Sequence, residues 1–327
     1  KIMDILIYEH ILGEELSNDS SQLIINEAKL IIKALVEDFS ELYPQSKISL
    51  LVNKNNKKIL DNINLVYMDY SKDLVKNILL NHKKNRRILI LAPEEKDLLY
   101  RIVKSLEKKD LILLNCNSKF LKTTSCKILT HKKFSISNKY VNQVYANYKE
   151  IPPEQSIVAK IKDGIGAEKL YIFKNQVDLK NNECKLSDNH VFQKYISGDV
   201  IGVNIFSDSN SLKILSINKQ IYKFSSKHEI FLDKIIMGQF NNLIKDLKIF
   251  ANNIIEHFDG HYGFFGIDAI LENNGNIVFL EINPRLTTSY AGLKKTLGFN
   301  PAIFFSNPNY KHNINNNKVF SIEHINE

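Results

Sequence analysis

The sequence predicts an α/β chain: a parallel-sheet unit at the N-terminal end, followed by an α+β part. Three observations carry this. Over residues 1–115, short apolar runs alternate with amphipathic segments, the pattern of buried parallel strands joined by helices. From residue 156 onward, strand-like runs follow one another across short polar turns. The stretch "GFFGIDAILENNGNIVFLEINPR" (263–285) then places two acids and an Asn in two apolar, strand-like runs around Asn274-Gly275, a strong hairpin signal.

Taken in order, "DILIY" (4–8), "ISLLV" (48–52), "INLVYM" (63–68), "RILILA" (87–92) and "LILLN" (111–115) read as buried strands. Between the first two, Ile24, Ala28, Ile31, Leu35, Phe39 and Leu42 recur at gaps of three and four, one apolar helix face, and Pro44 follows its end. Residues 71–82 and 94–108 read as further helices. Right-handed crossovers then give a parallel sheet. "EHILGEEL" (9–16) leaves the carboxyl end of the first strand, where open sheets bind ligands.

Beyond this unit, "SIVAKIKDGIGAEKLYIF" (156–173) reads as strand, glycine loop, strand, and "HVFQKYISGDVIGVNIF" (190–206) as two strands around "SGD". "LKILSINKQIYKF" (212–224) adds strand. Ile236, Phe240, Leu243, Leu247, Phe250 and Ile254 share one face of a long predicted helix. The hairpin follows, then a short helix near 290–297. The segment "SNPNYKHNINNNK" (306–318) is polar and predicts loop.

The chain has 327 residues, 44% hydrophobic and 24% charged, a globular composition long enough for about two or three units. No apolar run approaches the roughly 18 residues of a membrane helix. "KIMDILIYEH", broken by Asp4 and Glu9, reads as a first strand and not as a secretion signal. Cys116, Cys126 and Cys184 lack metal-ligand spacing, which fits a reducing, cytoplasmic setting. The net charge of +8 is spread along the chain, mostly on Lys, with only "KKNRR" (83–87) locally dense. A solvated lysine-rich surface accounts for it better than a nucleic-acid partner does. His10, His131, His190, His257 and His261 are irregularly spaced and read as ordinary surface or core histidines.

The hairpin register can be worked out. A two-residue type I′ turn at Asn274-Gly275 pairs Asn273 with Asn276, so paired numbers sum to 549. Ile267 then faces Ile282, Ala269 faces Leu280 and Leu271 faces Val278, one apolar face. The same register sets Asp268 opposite Glu281, with Cβ atoms roughly 5 Å apart, and puts Asn283 on their face beside Gly266. Two carboxylates this close, poorly solvated, demand a proton, a basic neighbour or a cation. Oxygen ligands of this kind suit Mg²⁺ or Mn²⁺ with substrate phosphates completing the shell; a solvated acidic pair on an exposed face is the bland alternative. "KIKDGIGAEK" (160–169) offers Lys160, then Gly164 and Gly166, whose backbone can approach phosphate oxygens; alone, it is equally an ordinary glycine hairpin.

The order of these pieces resembles the ATP-grasp superfamily: Lys127, Lys160 with its glycine loop, "QKYISGD", "GIDAIL", "FLEINPR". The resemblance covers about residues 116–300 and implies an ATP-grasp fold preceded by a Rossmann-like domain. The implied limits are 1–115 for that first domain, 116–192 for a small subdomain with the glycine loop, and 193–327 for a subdomain with the metal site. Carried over by position, Asp268, Glu281 and Asn283 would bind two Mg²⁺ or Mn²⁺ ions. Lys127 and Lys160 would contact the ATP phosphates, and Gly164 and Gly166 would lie in the phosphate loop. Gln193, Tyr195 and Ile196 would line the adenine pocket, and Asp199 would hold the ribose. Arg285 would be catalytic, steadying an acyl-phosphate. The chain departs from the usual pattern at Gln193, where many relatives have an acid, at Gly266, where several have Arg, and at Cys126 and Ile161.

"ILIYEHILGEEL", "KIKDGIGAE" and "EINPRLTTSYAGL" are similar to one branch, the archaeal tyramine–L-glutamate ligases of methanofuran biosynthesis. This implies an ADP-forming ligase that activates the γ-carboxylate of L-glutamate and joins it to tyramine. Glu9, Gly13, Lys219, Thr288, Ser289 and Tyr290 are the candidate substrate-binding residues; helix capping competes as a reading of Thr288 and Ser289. The residues leave open a ligase for another amino acid–amine or peptide substrate, or a non-catalytic ATP-binding protein. Small molecules are the expected partners, with no nucleic acid and no membrane, and a homodimer is left open.

Overall fold

The structure, a computed structural model, describes residues 2–14, 22–55, 63–69, 71–82, 85–109, 111–134, 141–163, 169–311 and 319–322. Gly164 and Gly166 of the expected phosphate loop lie outside them.

The first sheet contains β1 (Ile5–Glu9), β2 (Ile48–Val52), β3 (Asn64–Tyr67), β4 (Arg87–Leu91) and β5 (Ile112–Leu113), in the order β3-β2-β1-β4-β5. All pairings are parallel. The expected strand at 111–115 shortens to two residues. β1 and β2 are buried along their whole length, as their unbroken apolar runs require. The helices are α1 (His10–Gly13), α2 (Gln22–Leu42), α3 (Leu74–Asn81) and α4 (Leu98–Glu107). The expected helix at 94–108 breaks before α4, where Lys96 and Asp97 take positive φ. Strand order reverses between β1 and β4, the switch point at whose carboxyl ends open sheets take ligands.

Two short helices follow, α5 (Ser118–Thr124) and α6 (Lys127–Phe134). The second sheet contains β6 (Ile157–Ile161), β7 (Leu170–Phe173), β8 (His190–Lys194), β9 (Asp199–Ser207), β10 (Leu212–Phe224), β11 (Glu229–Met237), β12 (Gly263–Leu271), β13 (Ile277–Asn283) and β14 (Phe320–Ile322). Its path is β13-β12-β9-β10-β11-β7-β6-β8, with β14 on β11, and its pairings are antiparallel. The remaining helices are α7 (Gln176–Lys180), α8 (Ile244–Ile255) and α9 (Tyr290–Leu297).

The long helix expected from Ile236 is corrected. Ile236 belongs to β11, and the helix starts only at Ile244. "EIFLDKIIM" pairs on both edges, with β10 and β14, so its backbone is satisfied as sheet. The apolar residues of β11 do not alternate, and β14 is only three residues long, so neither leaves a strand signal in the sequence.

The hairpin differs from the expected one in two places, and the differences cancel. Glu272 and Asn276 close a three-residue loop: the Glu272 amide donates to the Asn276 carbonyl and the Gly275 amide to the Glu272 carbonyl, both at 2.9 Å. Gly275 takes φ 87° there, a backbone angle that favours glycine. Next to this loop the paired numbers fall one short, so Ala269 faces Phe279 and Leu271 faces Ile277, not Leu280 and Val278. A bulge at Leu280 then adds one residue. Beyond it the expected register returns, with Asp268 opposite Glu281, Ile267 opposite Ile282 and Gly266 opposite Asn283.

Candidate active site

Asp268 on β12 receives two hydrogen bonds, from Gln220 Nε2 at 3.0 Å and Asn283 Nδ2 at 2.8 Å. Glu281 on β13 receives Lys127 Nζ from the start of α6 and Lys160 Nζ from β6, each at 3.3 Å. Burial, then the Glu281 charge, pushes the Asp268 carboxyl well above the usual range. Burial alone would raise Glu281 too, but the Lys127 and Lys160 ammonium groups outweigh it and hold that carboxylate well below. The crowding is thus divided unequally: burial and the neighbouring charge disfavour ionisation of Asp268, while two basic groups stabilise the Glu281 carboxylate. Two carboxylates and an amide oxygen on one face form an oxygen donor set that fits a hard divalent cation.

His131 of α6 donates from Nε2 to the carbonyl of Leu280 at 2.7 Å, fixing the bulge that sets the Asp268–Glu281 register. Gly202 on β9 leaves the space for the Gln220–Asp268 bond. A Cβ there would lie 2.7 Å from Gln220 Nε2 and 3.3 Å from Asp268 Oδ1.

The acid pair lies where two cavities meet. One, of about 570 Å³, is lined by Lys127, Lys160, Gln193, Tyr195, Ile196 and Asp199 together with Asp268 and Glu281. That brings together the described residues expected to hold a nucleotide, in a space of drug-sized-ligand volume. Gln193 donates from Nε2 to the carbonyl of Asn142 at 2.6 Å, which fixes its amide. Asp199 pairs with Lys219 at 2.7 Å, so Lys219 sits beside the expected ribose site. Lys223 pairs with Asp233 instead.

The other cavity, of about 140 Å³, opens at the switch point of the first sheet and is lined by Glu9, Asn283, Arg285, Thr287, Thr288 and Ser289 among others. Glu9 ends β1; its carboxylate caps α1 by accepting the Leu12 amide at 2.7 Å. Burial pushes that carboxyl up to about 7, against the pull of the Leu12 and Ile11 amides and of Arg285. Arg285 donates from Nε to Glu94 Oε1 at 3.0 Å and from Nη1 to the Leu286 carbonyl at 3.1 Å. Ser289 does not cap α9 with its side chain; it donates to Asn204 Oδ1 at 2.7 Å.

Two candidates lie elsewhere. The Tyr290 hydroxyl donates to Asp38 at 3.1 Å inside the core, and Gly13 packs against the Tyr8 ring; neither lines either of these two cavities. Sequence reasoning missed Glu94, Gln220 and Tyr222. The last two, with Asn218, alternate along β10, and polar residues at that period on one face of a strand are the available signal. Glu94 carried none, because its role depends on a residue 191 positions away.

The two cavities and the acid pair between them lie in a chain that belongs to the ATP-grasp domain family, whose model matches residues 116–289. Among named relatives it is similar to the tyramine–L-glutamate ligases of Methanocaldococcus jannaschii, 28% identical over 89% of this chain and 84% of that one, and Methanocaldococcus fervens, 26% identical over 89% of each. Its fold is similar to that of an ATP-grasp superfamily protein from Archaeoglobus fulgidus, with TM-score 0.72 and 20% identity over 98% of this chain and 92% of that one.

Proposed function

We propose that this chain is an ATP-dependent, ADP-forming ligase that joins the γ-carboxylate of L-glutamate to tyramine in methanofuran biosynthesis. The observation that carries the reading is the meeting of two cavities at Asp268 and Glu281: a nucleotide on one side presents its terminal phosphate to an acid on the other. The names of the similar proteins supply the two substrates.

In the first step a carboxylate oxygen attacks the γ-phosphorus, and the bond to the ADP oxygen breaks with its electron pair. In the second, the amine nitrogen attacks the acyl carbon, phosphate leaves, and the nitrogen gives up a proton. Phosphoryl transfer needs mostly positioning and charge neutralisation. Lys127 and Lys160 turn from Glu281 to the phosphates as point charges. Asp268, Glu281 and Asn283 would hold two Mg²⁺ or Mn²⁺ ions, which would supply positive charge against the phosphates. Arg285 offsets charge on the transferring group and then on the acyl oxygen. The site divides among three units, 1–115, 116–192 and 193–327, and works in the cytoplasm.

The test is ADP and phosphate release with Mg-ATP, L-glutamate and tyramine, each omitted in turn. Release needing all three, with a product of their summed organic mass less water, supports the reading. Release only with another acid–amine pair removes these substrates and keeps the chemistry. Silence across a broad panel removes the ligase.

A further inference from the structure

Leu91, Ala92 and Pro93, at and just past the end of β4, line the cavity at the switch point, and the chain then turns through 94–97 into α4. Lys96 and Asp97 take φ 51° and 59° in that turn, a left-handed backbone that is costly for residues other than glycine and persists where the surroundings over-determine it. The Asp97 amide donates to the Glu94 carbonyl at 3.0 Å and the Leu99 amide to the Pro93 carbonyl at 3.1 Å. Two further contacts tie the turn to distant parts of the chain. Glu94 accepts from Arg285 Nε. The Lys96 amide donates to Asp163 Oδ2 at 2.9 Å, across 67 positions of sequence.

Asp163 follows β6 and stands three residues after Lys160. Its other oxygen accepts from Asn189 Nδ2 at 2.8 Å. Burial alone would raise its carboxyl, but the Lys96 amide and Asn189 outweigh it and hold the group below the usual range, so it meets the turn as a charged acceptor. The same segment is fastened to the rest of the nucleotide side. The Lys162 amide donates to the Asn189 carbonyl at 2.9 Å, and the Lys127 amide reaches the Lys162 carbonyl at 3.4 Å. Residues 160–163 thus carry Lys160, touch the start of α6 that carries Lys127, and grip the turn whose Glu94 holds Arg285. Lys127 and Lys160 line one cavity and Arg285 the other. Phosphoryl transfer between groups held in the two depends on their relative placement.

We propose that Asp163 is a positioning residue for the reaction: through the Lys96 amide it holds the 94–97 turn, and through Glu94 in that turn it sets the direction of Arg285. Asp163 touches no substrate in this scheme. It makes the segment that carries Lys160 also the strut that places the arginine of the neighbouring cavity. This rests on the ligase reading above and adds a residue that acts through Arg285.

The experiment is steady-state kinetics of ADP release on the full chain and on Asp163→Ala, Asp163→Asn, Glu94→Gln and the double variant E94Q/D163A. D163A is expected to lower kcat/KM for the carboxylic acid about tenfold or more while the ATP KM stays within about twofold, which also reports that the variant is folded. D163N keeps an oxygen for the Lys96 amide, and Asn189 can turn its own amide oxygen to the new donor, so it should stay within about threefold of the intact chain. If the two residues act through one turn, the double variant falls no more than about threefold below the more damaged single variant; independent roles would multiply the two losses. Multiplied losses, an unchanged kcat/KM in D163A, or a loss confined to the ATP KM overturns the proposal while leaving the ligase standing. Should D163A fail to fold, Asp163→Ser, too short to reach the Lys96 amide, takes its place with the same expectations. If the intact chain yields no ATP-dependent hydroxamate from any acid with hydroxylamine, the ligase reading fails and the proposal falls with it.

Discussion

Asp268 and Glu281 face each other across β12 and β13, yet their environments drive them apart: Asp268 is held by two amide donors and Glu281 by two ammonium groups. The substitutions Asp268→Asn and Glu281→Gln are therefore not equivalent. Both are expected to lower turnover by at least about 1000-fold, since each removes a cation ligand. Stability should separate them. D268N replaces a carboxyl whose charged form is already disfavoured by burial and by Glu281, so the loss should be about 1 kcal/mol or less. E281Q strands two buried lysines, and breaking a buried pair costs about 3–5 kcal/mol. Urea denaturation of both variants checks this, and equal losses would contradict the charge division.

Glu94 fixes Arg285 through Nε at 3.0 Å, leaving the guanidinium orientation dependent on a residue in the segment that follows β4. Glu94→Gln keeps the size but weakens the charge-assisted bond. A tenfold to hundredfold fall in kcat/KM is expected, about 1.4–2.7 kcal/mol of transition-state stabilisation, with ATP binding unchanged by calorimetry. Glu94→Asp should recover part of it. Loss of ATP binding would place Glu94 elsewhere in the mechanism.

Gly202→Ala pushes the end of Gln220 away from Asp268, because the new methyl would lie 2.7 Å from Gln220 Nε2. Gln220 is flexible, so the melting temperature should move little, within about 3 °C. The Mg²⁺ concentration for half-maximal activity should rise about threefold or more, as Asp268 loses one of the two donors that orient it. Titrating Mg²⁺ at saturating ATP reads the effect.

Asp38 ties α2 to α9 through Tyr290 and Lys294. Burial raises its carboxyl to about 6, with Tyr290 and Lys294 only partly offsetting this. The folded chain then keeps a proton on Asp38 that the unfolded chain has lost above about pH 4. This contribution to stability is full below about pH 4 and is lost as pH rises to about 6. Asp38→Asn should lack that component. The stability difference between the chain and D38N, followed from pH 4 to 7, should shift in favour of D38N as pH rises; a difference that does not vary with pH would contradict it.

The hairpin illustrates how much was legible. The Asp268–Glu281 pairing was read correctly from Asn274-Gly275, although the loop has three residues and a bulge at Leu280 compensates. The pairs between loop and bulge were misread for the same reason. β11 was taken for the start of a helix, because Ile236 and Phe240 fit a helical gap and strand pairing with β10 and β14 leaves no local mark.

By itself, the sequence determined what local pattern encodes. Buried apolar runs and helical stripes specified the first sheet and its helices. The order of Lys127, Lys160, Asp268, Glu281, Asn283 and Arg285 specified the kind of site. Tertiary structure alone decided the couplings: which lysines rest on which acid, that Glu94 holds Arg285, that Tyr290 serves Asp38 in the core, and that Asp163 reaches the turn that carries Glu94. Those are meetings of side chains distant in sequence, set by sheet order and packing, and no periodicity in a single segment records them.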